Sequence, residues 1–501
     1  MSDSRRAAER LVNRMQHIVE AQQRVIYFLL SVIAAFLITY FITIHETTFT
    51  QIQQYVLFIL LFAVALWISE AIPPFAVGIL IVGLLIFLLG QAGENQVGDP
   101  NYIDVTRFAA TWSNSVIWLM LGGFFLASGL KKTGLDKNLF RFSISYAGSN
   151  PQMIVLSLMM VTALASMVMS NTATAAMMIA SIAPFIEKNG AHKNISRVLL
   201  IGVPAAASIG GMGTIIGSPP NVIAVDAINQ YIKTNPEAFP FQIGFLEWMV
   251  IGVPLAFLLV IILWKILISR YKLEEEKISL LPESTPEPAE VAELPDNIMP
   301  GNTNIDKFQQ RVVLGVLIVT ILMWLTGNFH GIPAAAISGI PIIILPMVGI
   351  VTGDDVRELP WDTLMLVAGG LSIGLAITES GLAGFFVEKL HHLSFNDYFM
   401  MLIFALVTVL LSNIMSNTAT ATILIPVASI IPGVEPVPMA VLIGLSASCA
   451  LFLPVSSPPN AIAFSTGHLK QSDFRLGGTV IGLGGPILAM IWVLLLKVVF
   501  L

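Results

Sequence analysis

The residues in this chain best equipped for chemistry are short, neutral and oxygen-bearing. The hexapeptide SNTATA occupies residues 170–175 and returns unchanged at 416–421, and SPPN follows at 218–221 and again at 457–460. Ser hydroxyls and Asn carboxamides supply neutral oxygens that hard cations accept, while Thr hydroxyls can donate to an anionic oxygen. Each hexapeptide interrupts an apolar stretch, one preceded by residues 153–169 and the other by 400–411 with Ser412 and Asn413. Polar residues therefore sit at membrane depth, where non-helical backbone survives only if buried in protein or lining a wet cavity. Short Ser, Asn and Thr side chains satisfy exposed peptide groups and still present oxygen inward, so a broken helix is the economical reading. Amides opening the second half-helix suit a carboxylate, and carbonyls closing the first suit Na⁺.

In SPPN, consecutive prolines remove N–H donors and push the preceding residue out of helical conformation. Asn221 and Asn460 can then cap or brace the loop. In each half the two interruptions can fold toward each other as one composite site near the midplane. Small residues of this kind also let transmembrane helices pack closely, but two copies, each followed by SPPN, weigh against packing alone.

The frame holding such motifs must be a membrane one. Of 501 residues, 56% are hydrophobic and 11% charged, against roughly a quarter charged in soluble domains, and the mean hydropathy is +0.83. Stretches such as 25–44, 248–267 and 480–499, with a shorter one at 75–89, match the roughly 20 residues a spanning helix needs. They do not alternate apolar and polar residues as barrel strands do. The expected class is an all-α polytopic membrane protein.

Residues 272–307 are rich in Pro, Glu and Asn, the composition of a solvated linker. They divide the chain into a first repeat at 25–271 and a second at 308–501. The halves share three features in one order at near-constant offset: SNTATA, SPPN, and an upstream LML with a Gly pair at 119–123 and 364–370. That pattern implies duplication of a whole unit, frequent in secondary transporters. The Gly pairs suggest hairpins over roughly 113–135 and 362–382, each preceded by a Trp, Trp112 or Trp361, as interfacial anchor.

Residues 1–24 carry Arg5, Arg6, Arg10 and Arg14, and apolar residues from Ala7 to Val19 recur at helical spacing. This segment reads either as an amphipathic helix at the membrane surface or as a soluble lead-in, on the cytoplasmic side by the positive-inside tendency. The net charge of −6 arises largely in the linker, which argues against a nucleic-acid partner. Cys449 is alone and the seven histidines show no ligand spacing, so neither a disulfide nor an imidazole metal site is expected. An enzyme would need a nucleophile with a base, or a metal cluster, within the spans; none is evident. Glu70 and Glu379 lie near apolar runs beside helix-breaking residues and read as interfacial or capping groups rather than proton relays.

Twin SNT motifs, each followed by a Pro-Pro-Asn segment, together with SEAIP at 69–73, resemble the divalent anion:sodium symporter (INDY-like) family across both halves. The resemblance implies eleven transmembrane helices, inverted repeats with re-entrant hairpins and discontinuous helices, a homodimer through a scaffold domain, and elevator-type transport. It implies one Na⁺ site at Ser166, Ser170, Asn171 and Gly217, and a second at Ser412, Ser416, Asn417 and Ser456. Substrate carboxylates would meet Ser170, Asn171, Thr172, Ser416, Asn417 and Thr418, with Ser218 and Ser457 nearby. Ser218 and Ser457 stand where many members have Thr, and the lost methyls could widen the pocket. The leading expectation is Na⁺-coupled symport of a C4-dicarboxylate such as succinate, malate or fumarate in a bacterial cytoplasmic membrane. Exchange of di- or tricarboxylates (citrate, tartrate, 2-oxoglutarate) without obligatory Na⁺ coupling is the close rival, and an anion channel the rival from another class.

Overall fold

Long apolar helices dominate the computed structural model, which describes residues 2–46, 48–93, 95–96, 102–135, 138, 150–189, 194–237, 242–273, 307–390, 396–431 and 434–500, with the backbone alone over 2–20, 187–189, 328, 387, 389–390 and 499–500. Among the described residues there is no strand, and nine helices are long and apolar enough to cross a membrane. The chain begins with α1 (Ser2–His45), a single uninterrupted helix that runs through the boundary expected at residue 24. Two spans follow, α2 (Gln51–Ser69) and α3 (Pro74–Gly90), then α4 (Ser115–Lys132). The rest of the first half is α5 (Pro151–Ser166), α6 (Asn171–Asn189), α7 (Asn194–Gly210), α8 (Pro219–Thr234) and α9 (Phe245–Tyr271). Nearly all of the acidic linker lies outside the described residues. The second half comprises α10 (Lys307–Leu325), α11 (Gly339–Met347), α12 (Trp361–Glu379), α13 (Asp397–Ile414), α14 (Asn417–Ser429), α15 (Pro436–Ala447), α16 (Pro458–Ser465) and α17 (Gly484–Phe500).

The helices are apolar on every side because lipid covers one face and protein the other. In α9, Trp248, Leu255, Leu259, Leu263 and Leu267 are buried at near-helical spacing, while Val250, Leu258 and Ile261 face outward. Starts are marked by side chains that take up the free N–H groups of the first turn. Thr50 and Gln53 form a reciprocal capping box on α2, and Asn150 caps α5, whose first residue is Pro151.

The two halves pack in matching pairs, helices of α2–α9 often contacting partners as the helix eight places later does. Helix α5 packs on α7 as α13 packs on α15; α6 on α7 as α14 on α15; α9 on α7 as α17 on α15. Across the halves, α8 packs on α14 and α15 while α16 packs on α6 and α7, and α3 on α12 while α11 packs on α4. Helices α5–α9 and α13–α17 thus form one bundle carrying both motifs, bordered by α1–α4 and α10–α12.

The hairpins expected over 113–135 and 362–382 are instead the single helices α4 and α12. Their Gly pairs serve close helix crossing. A Cβ on Gly369 would lie 2.3 Å from the Gly78 Cα of α3, and one on Gly122 would lie 2.6 Å from Ser338 Cβ, just before α11. Backbones approach this closely only where side chains are absent or very small. The acids met in sequence also find structural roles: Glu70 closes α2 in left-handed conformation with φ 49°, and Glu379 pairs with Arg107 at 2.8 Å.

Gly369→Val is expected to destabilise the chain by about 2 kcal/mol through overpacking, read as a lower melting temperature in detergent. Gly83→Val on α3, which meets nothing within 4 Å, is expected to leave it unchanged.

Candidate functional site

Each motif stands at a helix interruption. Helix α5 ends at Ser166, and α6 begins at Asn171 with Ser170 accepting a hydrogen bond from Ala173 N at 3.2 Å. In the second half α13 ends at Ile414, and Ser416 caps α14 by accepting from Ala419 N at 3.1 Å. Ser170 N-caps α6 and Ser416 N-caps α14, so the first-turn N–H groups of Asn171, Thr172, Asn417 and Thr418 have no intrahelical acceptor. Ser170, Thr172 and Ser416 are exposed, whereas Ser166 and Ser412 are fully buried.

The SPPN segments open α8 and α16 in the opposite chemical sense. Proline at the first two helical positions leaves no N–H there, so these interruptions present carbonyls instead. Asparagine braces the exposed loop in both halves: Asn221 Nδ2 donates to the Gly211 and Thr214 carbonyls at 2.9 and 2.7 Å, and Asn460 Nδ2 donates to the Leu453 carbonyl at 3.2 Å.

The two interruptions of the first half meet. Ser166 Oγ donates to the Ala207 carbonyl at 2.7 Å and lies 2.6 Å from the Asn171 carboxamide oxygen. That carboxamide position is also 3.2 Å from the carbonyl oxygens of Ala207 and Gly217. Turned nitrogen-inward, it would donate to all three oxygens; oxygen-inward, it joins them in an all-oxygen cluster of the kind a hard cation takes. Ser166, Asn171 and Gly217 are therefore brought together, and the Ala207 carbonyl is an addition that motif reading missed. Ser170 stands outside the cluster as the helix cap. Gly211 is needed for the approach, since a Cβ there would lie 2.5 Å from Asn171 Oδ1.

The second half is built by the same logic from different atoms. In the first, the Thr214 hydroxyl on the loop donates to the Met167 carbonyl just beyond α5. In the second, loop and helix exchange roles: Asn413 on α13 accepts from Phe452 N of the loop at 2.9 Å. Ser456 Oγ donates to the Leu453 and Ala450 carbonyls at 2.7 and 3.2 Å, and Ser457 accepts from Asn460 N at 3.4 Å. Ser412 Oγ and Asn417 Oδ1 are buried oxygens with no hydrogen-bond partner in the fold, and the same holds for Ser446 Oγ and Ser448 Oγ on and just after α15. Buried oxygens without donors are costly in an interior, and they fit a cation of the Na⁺ type. Thr174 and Thr420, the fifth residues of the two hexapeptides, share this state; identity of the whole hexapeptide, beyond SNT, was the available signal. Ser218 and Ser457 are buried.

The chain is a polytopic helical membrane protein with a helix break at each SNT motif and at each SPPN segment. A family model described as citrate transporter (CitMHS) matches residues 64–432. The sodium-dependent dicarboxylate transporter SdcS of Staphylococcus saprophyticus is 30% identical over 450 residues, 83% of this chain and 80% of that protein. SdcS of Staphylococcus aureus strain USA300 is 29% identical over 469 residues, 87% and 84% of the two chains. Among solved structures, MtrF of Neisseria gonorrhoeae aligns with a TM-score of 0.53 at 11% identity, covering 86% of this chain and 96% of that one. The YdaH transporter of Alcanivorax borkumensis aligns at 0.51 and 16% identity, covering 85% and 98%. At those identities the structures bear on the fold alone. The chain belongs to the citrate transporter family, in keeping with the divalent anion:sodium symporter resemblance of its motifs, and is a multi-pass membrane transporter rather than an enzyme.

Gly211→Ala is expected to lower the transport rate at least about tenfold, equivalent to about 1.4 kcal/mol, with the protein still eluting as a folded species in detergent. Ala450→Gly, at the corresponding place in the second loop, only adds room and is expected to change the rate less than about twofold.

Proposed function

We propose that the protein is a Na⁺-driven symporter of C4-dicarboxylates such as succinate, malate and fumarate, seated in a bacterial cytoplasmic membrane as a homodimer. Its two halves act as inverted repeats, and α5–α9 with α13–α17 move as an elevator against the remaining helices. The observation carrying this reading is the pairing, in each half, of buried oxygens from a helix end with the donor-bearing start of the next helix. The names of the SdcS relatives, sodium-dependent dicarboxylate transporters, point the same way.

Ser166, Asn171 and the carbonyls of Ala207 and Gly217 would hold one Na⁺, with Ser170 at the rim. Ser412, Ser416, Asn417 and the backbone at Ser456 would hold the second. Asn171, Thr172, Asn417 and Thr418, with Ser170 and Ser416, would receive the carboxylates, and Ser218 and Ser457 would shape the pocket floor. No Lys or Arg lies beside either SNT motif in sequence, so the dianion is held by neutral donors and helix starts. Such a site is weak until cations load beside it, which couples substrate binding to Na⁺.

Exchange of di- or tricarboxylates without Na⁺ is a second reading, favoured by the description of the matching family as citrate transporters and by the smaller Ser218 and Ser457. Uptake of labelled succinate into proteoliposomes separates the two. Replacing Na⁺ by choline is expected to reduce uptake at least about tenfold, and Asn171→Ala/Asn417→Ala to abolish it. Unchanged uptake in choline, with counterflow requiring carboxylate on both sides, would make the protein an exchanger. Non-saturating flux would make it a channel.

A further inference from the structure

An acid that the site does not use is buried on α8, five residues beyond SPPN. Asp226 is 9% exposed. Its Oδ1 accepts from Asn114 Nδ2 at 2.8 Å, and its Oδ2 accepts from Gln230 Nε2 one turn along the same helix. Asn114 belongs to the other set of helices: it is the N-cap of α4, where its Oδ1 accepts from Val116 N at 3.0 Å.

The place of this bond is unusual. Polar ties within the site-bearing bundle stay inside it: Trp264 Nε1 reaches the Gln152 carbonyl, Trp492 Nε1 the Ile251 carbonyl, and Asn413 the Phe452 amide. Ties among α1–α4 and α10–α12 likewise stay on their side, as with Gln310 to Thr133, Lys132 to Asp355 and Arg107 to Glu379. The border of the described residues also includes apolar contacts, such as the Phe245 and Trp324 rings 5.0 Å apart. Apolar surfaces can slide with little directional preference. A hydrogen bond to a buried carboxylate cannot, because the carboxylate must exchange one donor for another.

We propose that Asn114 and Asp226 form a polar latch between the bordering helices and the site-bearing bundle, a positioning pair that stabilises the state seen here and breaks when the site moves. The placement is apt because the site loop 211–218 leads directly into α8, and α4 meets that loop again where a Cβ on Gly123 would lie 3.2 Å from Ile216. The inference rests on the reading above that the two sets of helices move past each other.

The test reads conformational state in the full chain, in membranes, without needing substrate. Ser170 is exposed here and Cys449 is buried, so Ser170→Cys reports site access through its labelling rate with a membrane-impermeant maleimide. Asn114→Asp keeps the α4 cap but removes the donor and sets two carboxylates face to face. It is expected to lower labelling, through the face accessible in the parent, about tenfold. The swapped pair Asn114→Asp/Asp226→Asn restores a donor and an acceptor and is expected to return labelling to within about twofold. Asn114→Ser, which also caps, is carried in case Asn114→Asp does not fold; it is expected to reduce labelling in the same direction. Labelling that ignores these changes, or a swap no better than Asn114→Asp alone, overturns the latch. Uptake is followed separately without Ser170→Cys. If labelling follows the expected pattern while uptake is absent or Na⁺-independent, the latch stands and the transport reading fails. If uptake is Na⁺-dependent and labelling is indifferent, the latch alone fails.

Discussion

Every peptide group that leaves a helix at membrane depth must find a partner within the protein, and this constraint organises the fold. Lipid offers none, and an unpartnered buried group costs roughly 1–3 kcal/mol. The chain nevertheless breaks its helices twice in each half. It manages this by devoting side chains to the breaks: Asn221 holds two loop carbonyls, Asn460 holds another, and Ser170 and Ser416 close the helix starts. With those groups satisfied, the Ala207 and Gly217 carbonyls face the Asn171 carboxamide, and the first-turn N–H groups of α6 and α14 lack intrahelical acceptors. On the proposed reading, bracing and binding are two uses of one break.

Each half contains such breaks, and the two halves are unequal. The first loop uses Gly211 to admit the Asn171 carboxamide and Thr214 to tie itself to α5's end. The second has Ala450 and Leu453 at the matching places, so neither device is available; Asn413 provides the tie from the helix side. The hydrogen-bond states differ as a result. Oxygens of the first site are joined through Ser166, whereas Ser412 Oγ and Asn417 Oδ1 in the second lack donors. On the proposed reading, a ligand entering the first site would displace the Ser166–Ala207 hydrogen bond, whereas one entering the second would meet Ser412 Oγ and Asn417 Oδ1 already unpartnered.

Much of this was legible in sequence, for physical reasons. Apolar runs of spanning length became helices because the bilayer leaves little alternative, and repeated SNTATA and SPPN became breaks because Pro and short polar residues do the same thing wherever they stand. The Gly pairs misled. An LML followed by paired glycines suggests a bend, yet Gly122 and Gly369 sit inside unbroken helices and permit crossings that depend on partners far away in the chain, Ser338 and Gly78. Nothing local distinguishes a glycine that bends a helix from one that lets another helix approach. Ala207 was invisible for a related reason, since it contributes only its carbonyl and any residue carries one. Asp226 did carry a signal, a lone acid within the apolar run 222–228, but its partner Asn114 lies in the other set of helices and only the fold brings them together.

The neutrality of the site follows from what it is proposed to do. A fixed charge at the bilayer centre costs at least about 2.5–3.5 kcal/mol, so a site meant to cross the membrane both loaded and empty should carry none of its own. Ser, Asn, Thr and backbone groups meet that condition, and their dipoles recruit ions of either sign according to which end they present. On the proposed reading, cations held by carbonyls beside a dianion held by N–H groups would reduce the net charge of the loaded bundle, so the complete load would cross more readily than either part alone. Asp226 is the informative exception: it lies on the same bundle but outside the motifs, its carboxylate bonded to Asn114 and Gln230. If the bundle moves as proposed, a charge there would burden the crossing unless its partners changed along the way, which is the behaviour expected of a group that marks one end of the movement.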